Sequence, residues 1–228
     1  MTKTPHPRTD CELPRALVVD REHAERRLED FWRERATGAS RKVLCGATLA
    51  FVDRGYHGAS TREIAARSGM SPAAVYIHFA SKQELFHRIA LDGHVASTGA
   101  FSDAARQGAD PLTQLRLGVA SFATWNAEMN LLSRSIEYEV RLHRGPEFAD
   151  VWTLRRGVEE HVLQILRAGC DEGVFRIADV EWTKIMILSA CVDVARWYRH
   201  GSSRTPTSIG FQYAELATTL AGATPLSR

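Results

Sequence analysis

Apolar residues in this chain recur at spacings of three and four almost throughout, the period of a helix with one buried face, and no stretch alternates with period two long enough to make a strand. The pattern predicts an all-α protein. Residues 20–35 place Leu28, Phe31 and Trp32 in one narrow stripe among arginines and acidic side chains, and Thr37, Gly38, Ala39 and Ser40 then interrupt the run. Ser40 is expected to cap a helix whose inner face is Val43, Ala47, Ala50 and Phe51 and which ends near Gly55. Thr61 to Ser68 reads as a short second helix, Gly69 and Met70 as a turn, and Ser71 as the cap of a third helix starting at Pro72. Ser81 caps a fourth, with Glu84 completing a capping box. Asp110-Pro111 opens a later helix, Gly145-Pro146 ends one and starts the next, Gly173 stops that run, and Pro206 divides the last two. About nine helices are expected after residue 39.

Composition narrows the class. With 44% hydrophobic and 25% charged residues in 228, the chain can bury a core without staples, which excludes a disordered protein. No run of about 18 apolar residues occurs and the opening residues lack a secretory apolar region, so neither membrane spanning nor secretion is expected. Cys11, Cys45, Cys170 and Cys191 are far apart, with no metal-ligand spacing; they read as reduced cytoplasmic thiols, and no metal or cofactor is expected. Pro5, Pro7 and Pro14 fall in residues 1–19, which show no sustained helical period and are read as a mobile tail. The net charge of +2 decides little, because a nucleic-acid binder needs only a local basic face.

Residues 55–86 carry the sharpest chemistry. Ala65 is small where two helices would cross, Gly69 stands where a turn needs positive φ, and Ile64, Met70 and Val75 supply a small core, the demands of a helix-turn-helix. At about 100° per residue, an inward Val75 and Phe79 leave Ala73 and Ile77 pointing outward. Tyr76 and His78 then flank that outward face, with Lys82 just beyond. In a major groove this puts Ala73 and Ile77 at base edges and three polar donors at the phosphate walls. Taken singly, Tyr76, His78 and Lys82 are also ordinary surface residues. Arg41 and Lys42 are read equally as minor-groove or backbone contacts and as solvated charges.

The pattern T-x-x-I-A-x-x-x-G-x-S-x-x-x-x-Y-x-H-F-x-x-K-x-x-L, carried by Thr61, Ile64, Ala65, Gly69, Ser71, Tyr76, His78, Phe79, Lys82 and Leu85, resembles the DNA-binding domain of TetR-family transcriptional repressors over residues 40 to 90. The resemblance implies phosphate contacts by Thr61, Tyr76, His78 and Lys82, and base-facing positions for Arg62, Ser71, Pro72, Ala73 and Ile77. Ala73 and Ile77 have no hydrogen-bonding group and would meet thymine methyls; Arg62, able to grip guanine, is the best single specificity residue. It further implies a cytoplasmic homodimer that binds a palindromic double-stranded DNA operator as a repressor, has no catalytic activity and is released by a small hydrophobic effector. The divisions expected are an N-terminal extension over 1–39, a helix-turn-helix domain over 40–88 and an effector-binding and dimerisation domain over 89–228. The family often starts near residue 40, so the extension is a departure.

In the remainder, Phe122, Trp125, Met129, Tyr138, Phe148 and Trp152 are candidates to line an effector pocket, although bulky residues at helical spacing also serve as plain core. Trp182, Ile185, Leu188 and Val192, with Ile209, Tyr213, Leu216 and Leu220 of the last helix, are read as a four-helix dimer interface. The polar segment from Ser133 to Arg156 is expected to be mostly solvated. Glu137, Glu139, the stretch from Asp171 to Phe175 and that from Val194 to Arg199 are similar to a branch of the family that responds to acyl-CoA thioesters. That resemblance implies Arg141, Arg155 or Arg199 at the CoA phosphates, for which forked guanidinium donors are suited. Two rival readings are a helical-bundle enzyme and a coregulator without DNA binding. The E-x-x-H of Glu84 and His87 fits a di-iron bundle, but no second copy accompanies it.

Overall fold

The computed structural model describes residues 15–223, with side chains from residue 20 onward. The described residues form ten α-helices and two short 3-10 turns, with no strand. Residues 1–14 of the expected tail, Cys11 among them, lie outside the described residues. Residues 15–19 do not: α1 spans Arg15–Arg33 and takes them into its first turns.

The helices that follow are α2 (Gly38–Gly58), α3 (Thr61–Arg67), α4 (Pro72–His78), α5 (Lys82–Ala105), α6 (Pro111–Glu128), α7 (Asn130–Glu137), α8 (Ala149–Asp171), α9 (Val180–Trp197) and α10 (Pro206–Leu220). Short polar caps fix most of their starts. Ser60, Ser71, Ser81, Asp110, Asp179 and Thr205 each accept a hydrogen bond from the backbone N–H three residues on, satisfying donors that have no partner within the helix. Glu84 reaches back to accept from the Ala80 amide at 2.7 Å, close to the expected capping box. Ser40 behaves differently. Helix α2 begins at Gly38, inside the stretch read as a break, and the Ser40 hydroxyl lies 3.2 Å from His78 Nδ1 instead of capping.

Two glycines shape the small N-terminal unit. Gly69 takes φ +65° in the turn between α3 and α4. Gly55 takes φ +70° and breaks α2 one turn before its end, and a β-carbon there would sit 2.9 Å from Glu139 Oε1.

Packing divides into two main cores, and the chain does not switch between them at a loop. The first joins Leu28, Phe31 and Trp32 of α1 to Val43, Leu44 and Phe51 of α2, Ile64, Val75 and Phe79, the first half of α5, and Leu132, Ile136 and Phe148 beyond it. The second gathers Phe101 and Ala105 from the end of α5 with residues of α6, α8, α9 and α10. Residue 88 therefore falls inside α5, a continuous helix whose two halves serve different cores.

Helix α1 is a structural part of the first core. Ion pairs tie it to both sides: Arg21 to Asp53 of α2 at 2.8 Å, and Arg27 to Glu128 of α6 at 2.6 Å. Trp32 is 0% exposed, yet its indole N–H has no partner. Trp32→Ala should lower the unfolding free energy in urea titrations by about 3–5 kcal/mol, the range for truncating a buried aromatic. Trp32→Phe, which also removes the unpartnered donor, should cost much less. Equal losses from the two substitutions would show that the indole does not act through packing.

Candidate nucleic-acid interface and ligand cavity

Helix α4 is held by Val75, 2% exposed, and by Phe79 at its C-terminal end, with Ala74 half-buried and the other residues along it facing outward. Ile77 is 80% exposed and Tyr76 51%, and Ser71, Pro72, Ala73 and His78 are exposed as well. Ile77 therefore has no packing role within the protomer. Arg62 of α3 stands on the same surface, exposed, with no hydrogen-bond or ion-pair partner among the described residues.

The four candidate phosphate donors are arranged in ways the sequence did not disclose. The Thr61 hydroxyl lies 3.2 Å from Tyr76 OH, so one hydroxyl positions the other beside α4. His78 is steadied by Ser40. Lys82 turns inward: its ammonium donates to the carbonyls of Tyr56 at 2.7 Å and Ala59 at 3.0 Å and sits 4.5 Å from the centre of the Tyr56 ring. An ammonium has three N–H donors, so one remains for an outside acceptor. Lys82 thus closes the end of α2 as well as standing beside the interface.

A second feature lies in the helical bundle. A cavity of about 50 Å³ is lined by Ser97, Thr98, Phe122, Glu137, Arg155, Val158, Glu159, Leu188 and Val192. Two of the candidate pocket residues, Phe122 and Arg155, meet there. Leu188 and Val192, read as interface residues, are half-buried and turn toward it. The other candidates lie elsewhere. Met129 and Phe148 are buried in the first core, Trp125 packs beside it, and Trp152 donates its indole N–H to His143 O at 2.8 Å. Tyr138 and Arg141 are exposed.

The polar segment from Ser133 to Arg156, expected to be solvated, holds two charges indoors. Glu137 is 5% exposed, and its Oε2 accepts from Arg155 Nη1 at 2.6 Å. The same Nη1 is 2.9 Å from His94 Nε2. A carbonyl can only accept, so the 2.7 Å contact between His94 Nδ1 and Ala90 O places the ring proton on Nδ1 and leaves Nε2 to accept from Arg155. Burial pushes the imidazole below its usual range, in keeping with a neutral ring beside the ion pair. His94 gave no signal in the sequence, because a lone histidine in a helix reads as surface until the packing is known.

On α9 and α10, Trp182 (66% exposed), Ile185, Leu216 (58%) and Leu220 face outward, joined by Met186 and Phe211. Tyr213 is half-buried, while Ile209 is used inside the protomer against Ala127, Val194 and Tyr198. The E-x-x-H histidine is engaged too, with His87 Nε2 2.9 Å from Asp150. Among the described residues no cluster of metal-ligating side chains occurs, and no helix is long and apolar enough to cross a membrane.

Comparison with known proteins gives a consistent picture. Residues 44–89 match the family description "Bacterial regulatory proteins, tetR family", and residues 108–221 match "Tetracyclin repressor-like, C-terminal domain". The chain is 30% identical over 181 residues to the HTH-type transcriptional repressor KstR2 of Mycobacterium tuberculosis, covering 78% of this chain and 89% of that protein. Among solved structures, a bacterial regulatory protein of the tetR family from Rhodococcus RHA1 superposes with a TM-score of 0.75 at 31% identity, over 83% of this chain and all of that one (100%). AibR, solved in complex with isovaleryl coenzyme A and operator DNA, shares the fold with a TM-score of 0.68 at 20% identity, over 82% of this chain and 100% of its own.

The inward turn of Lys82 gives it two separable roles. Lys82→Met keeps the apolar stem over Tyr56 and removes the charge. It should lower stability by about 1.5 kcal/mol, the low end for a charge-assisted hydrogen bond because the ammonium is only half-buried. Chemical denaturation measures this, and an unchanged midpoint would show that the two carbonyls are equally well served by water.

Proposed function

Since the chain belongs to the TetR family of transcriptional regulators, we propose that it binds a palindromic DNA operator as a homodimeric repressor and is released by a small hydrophobic effector. The observation that carries this reading is α4: a short helix presenting Ala73 and Ile77 outward between Tyr76 and His78. Entering the major groove, such a helix sets apolar contacts at base edges and hydrogen-bonding groups at the sugar-phosphate walls. Thr61, Tyr76, His78 and Lys82 take the phosphates, while Arg62, Ser71, Pro72, Ala73 and Ile77 face the bases. Arg62 is free to donate two parallel hydrogen bonds to one guanine.

In this reading residues 40–88 read DNA, residues 89–228 hold the effector and the second subunit, and the extension over 1–39 braces the two through α1. Trp182, Ile185, Leu216 and Leu220, with Met186 and Phe211, form the apolar face on which a second copy sits, with the half-buried Tyr213 at its edge. Leu188, Val192 and Ile209 serve the protomer's own interior. A twofold dimer would place two α4 helices in successive major grooves about 34–36 Å apart. The protein then works in the cytoplasm, as a binder and not as a catalyst.

The effector enters the cavity beside Phe122 and Arg155. An acyl thioester suits the mixture of apolar walls and a guanidinium there, with exposed Arg141 and Arg199 available to CoA phosphates. The isovaleryl coenzyme A bound by AibR supports that chemistry as a starting point.

Selection of bound fragments from a random DNA pool tests the reading directly. Wild-type protein should enrich a palindrome, and Arg62→Ala should lose preference at one base pair per half-site, worth about 1–3 kcal/mol of discrimination. If Arg62→Ala enriches the same sequence with the same stringency, Arg62 does not read bases. For the dimer, Trp182→Glu combined with Leu216→Glu should shift the mass in light scattering from two chains to one and abolish tight operator binding; a variant that stays dimeric would place the interface elsewhere.

A further inference from the structure

Two acidic residues at the end of α7 face in opposite directions. Glu137 lies in the cavity, bonded to Arg155. Glu139, next but one along the chain, accepts from the Tyr56 amide at 3.0 Å, at the break in α2. Residues 138 and 139 keep helical dihedrals and run into the 3-10 turn Val140–Leu142, so side chains two apart stand roughly 200° from each other around one stiff rod. Ile136 and Val140, both fully buried, set the axis about which that rod can turn. His143 reinforces it by holding Glu139 O through Nδ1 at 3.0 Å while packing its ring against Tyr56.

The cavity has a specific unmet demand. Arg155 Nε is buried without a partner, although the same guanidinium serves Glu137 and His94 through Nη1. A buried donor left without an acceptor is unfavourable, and an entering acceptor relieves it. The space is also small. At about 50 Å³ it is well below the roughly 300–1,000 Å³ of a ligand pocket. A ligand of several carbons must push its walls apart, and of the charged residues that line it, Glu137, Arg155 and Glu159, the buried one is Glu137.

Resting on the reading of the chain as an effector-released operator binder, we infer that the effector has an apolar body and an acceptor head, a carboxylate or a thioester carbonyl. That head takes Arg155 from Glu137, and the rod from Glu137 to Glu139 transmits the displacement to Tyr56 at the base of the DNA-reading unit. Glu137 is the trigger and Glu139 the positioning residue. With its amide released, Tyr56 keeps the carbonyl contact to Lys82 and its ring packing, and the small unit is free to change its angle at Gly55. Ser97 and Thr98, on the cavity wall, give their hydroxyl protons to His94 O at 3.3 and 2.7 Å, which leaves Arg155 as the donor for that head.

Hydrogen exchange at the Tyr56 amide in the full chain reads this relay without any DNA. Glu139→Ala should speed exchange there roughly tenfold, a normal size for coupling between sites. Glu137→Gln should do the same from the cavity side, and the double substitution should add nothing to Glu139→Ala. Wild-type exchange at Tyr56 in a folded Glu137→Gln protein would overturn the relay. As a second route, replacing both Glu137 and Arg155 with Met swaps the ion pair for apolar bulk, and in that protein no ligand should change Tyr56 exchange; a response there would equally overturn it. In the wild type, octanoate and octanoyl-CoA separate the two heads. Acceleration by octanoate alone assigns the free carboxylate, acceleration by octanoyl-CoA alone assigns the thioester, and no effect from either overturns the acceptor-headed ligand. Failure of the wild type to shift any DNA would count against the regulator reading, whereas unchanged Tyr56 exchange counts against the relay alone.

Discussion

Tyr56 is held through both its backbone N–H and its carbonyl by residues distant in sequence, and the rest of the arrangement depends on that grip. Its N–H goes to Glu139 and its carbonyl to Lys82, while its ring packs on Phe51, Phe86 and His143. The need for the grip comes from Gly55. A helix broken at positive φ exposes backbone groups that regular hydrogen bonding would have satisfied, and buried backbone groups must find partners. One partner comes from the helical bundle and the other from the start of α5. The DNA-reading unit is therefore anchored at the one place where its own helix cannot hold itself together.

Helix α1 makes the anchoring stiffer from the opposite side. Asp53, near the break in α2, is shared between Arg21 of α1 and Arg67 of α3. Burial alone would raise its carboxyl, but the two guanidinium groups outweigh burial and keep it below the usual range. The anchor on α1 is largely apolar, through Leu28, Phe31 and Trp32, and the ion pairs set its register. An extension that shares a core with the DNA-reading unit and an ion pair with α6 cannot leave without disturbing both.

What was legible in the sequence follows from how far each feature reaches. Caps at Ser71 and Ser81, the positive-φ turn at Gly69 and the outward set on α4 are decided within a few residues, so residue type and spacing were enough. The inward turn of Lys82 was not legible, because it depends on where the end of α2 comes to lie against the start of α5. Nor was the burial of Glu137 against a half-buried Arg155: a charge on a polar stretch reads as solvated until the helices around it close over it. On α9, Trp182, Ile185, Leu188 and Val192 were read as one interface stripe, but nothing along the chain says where that stripe divides between the protomer and an outside surface. Leu188 and Val192 went to the cavity, Trp182 and Ile185 outward. Ile209 went inside because α10 lies tightly on α6, where a β-carbon on Gly210 would meet Ala120 O at 2.4 Å.

Under the proposed relay, the ion pair between Glu137 and Arg155 also bears on which molecules can act as effectors. Moving a two-state population from almost wholly one form to almost wholly the other takes a differential affinity of about 5.5 kcal/mol. Separating Glu137 from Arg155 without replacing either partner opposes the change by up to about 3–5 kcal/mol, because the Glu137 charge is left alone in a poor solvent. A purely apolar ligand would have to supply both amounts from its own burial, in a cavity with little room for it. An acceptor placed against Arg155 removes most of the second amount, since the guanidinium keeps a partner throughout and Glu137 can turn toward water. In the proposed relay the pair thus acts as a filter: apolar bulk opens the cavity, but only a head group that can replace a carboxylate makes the opening favourable.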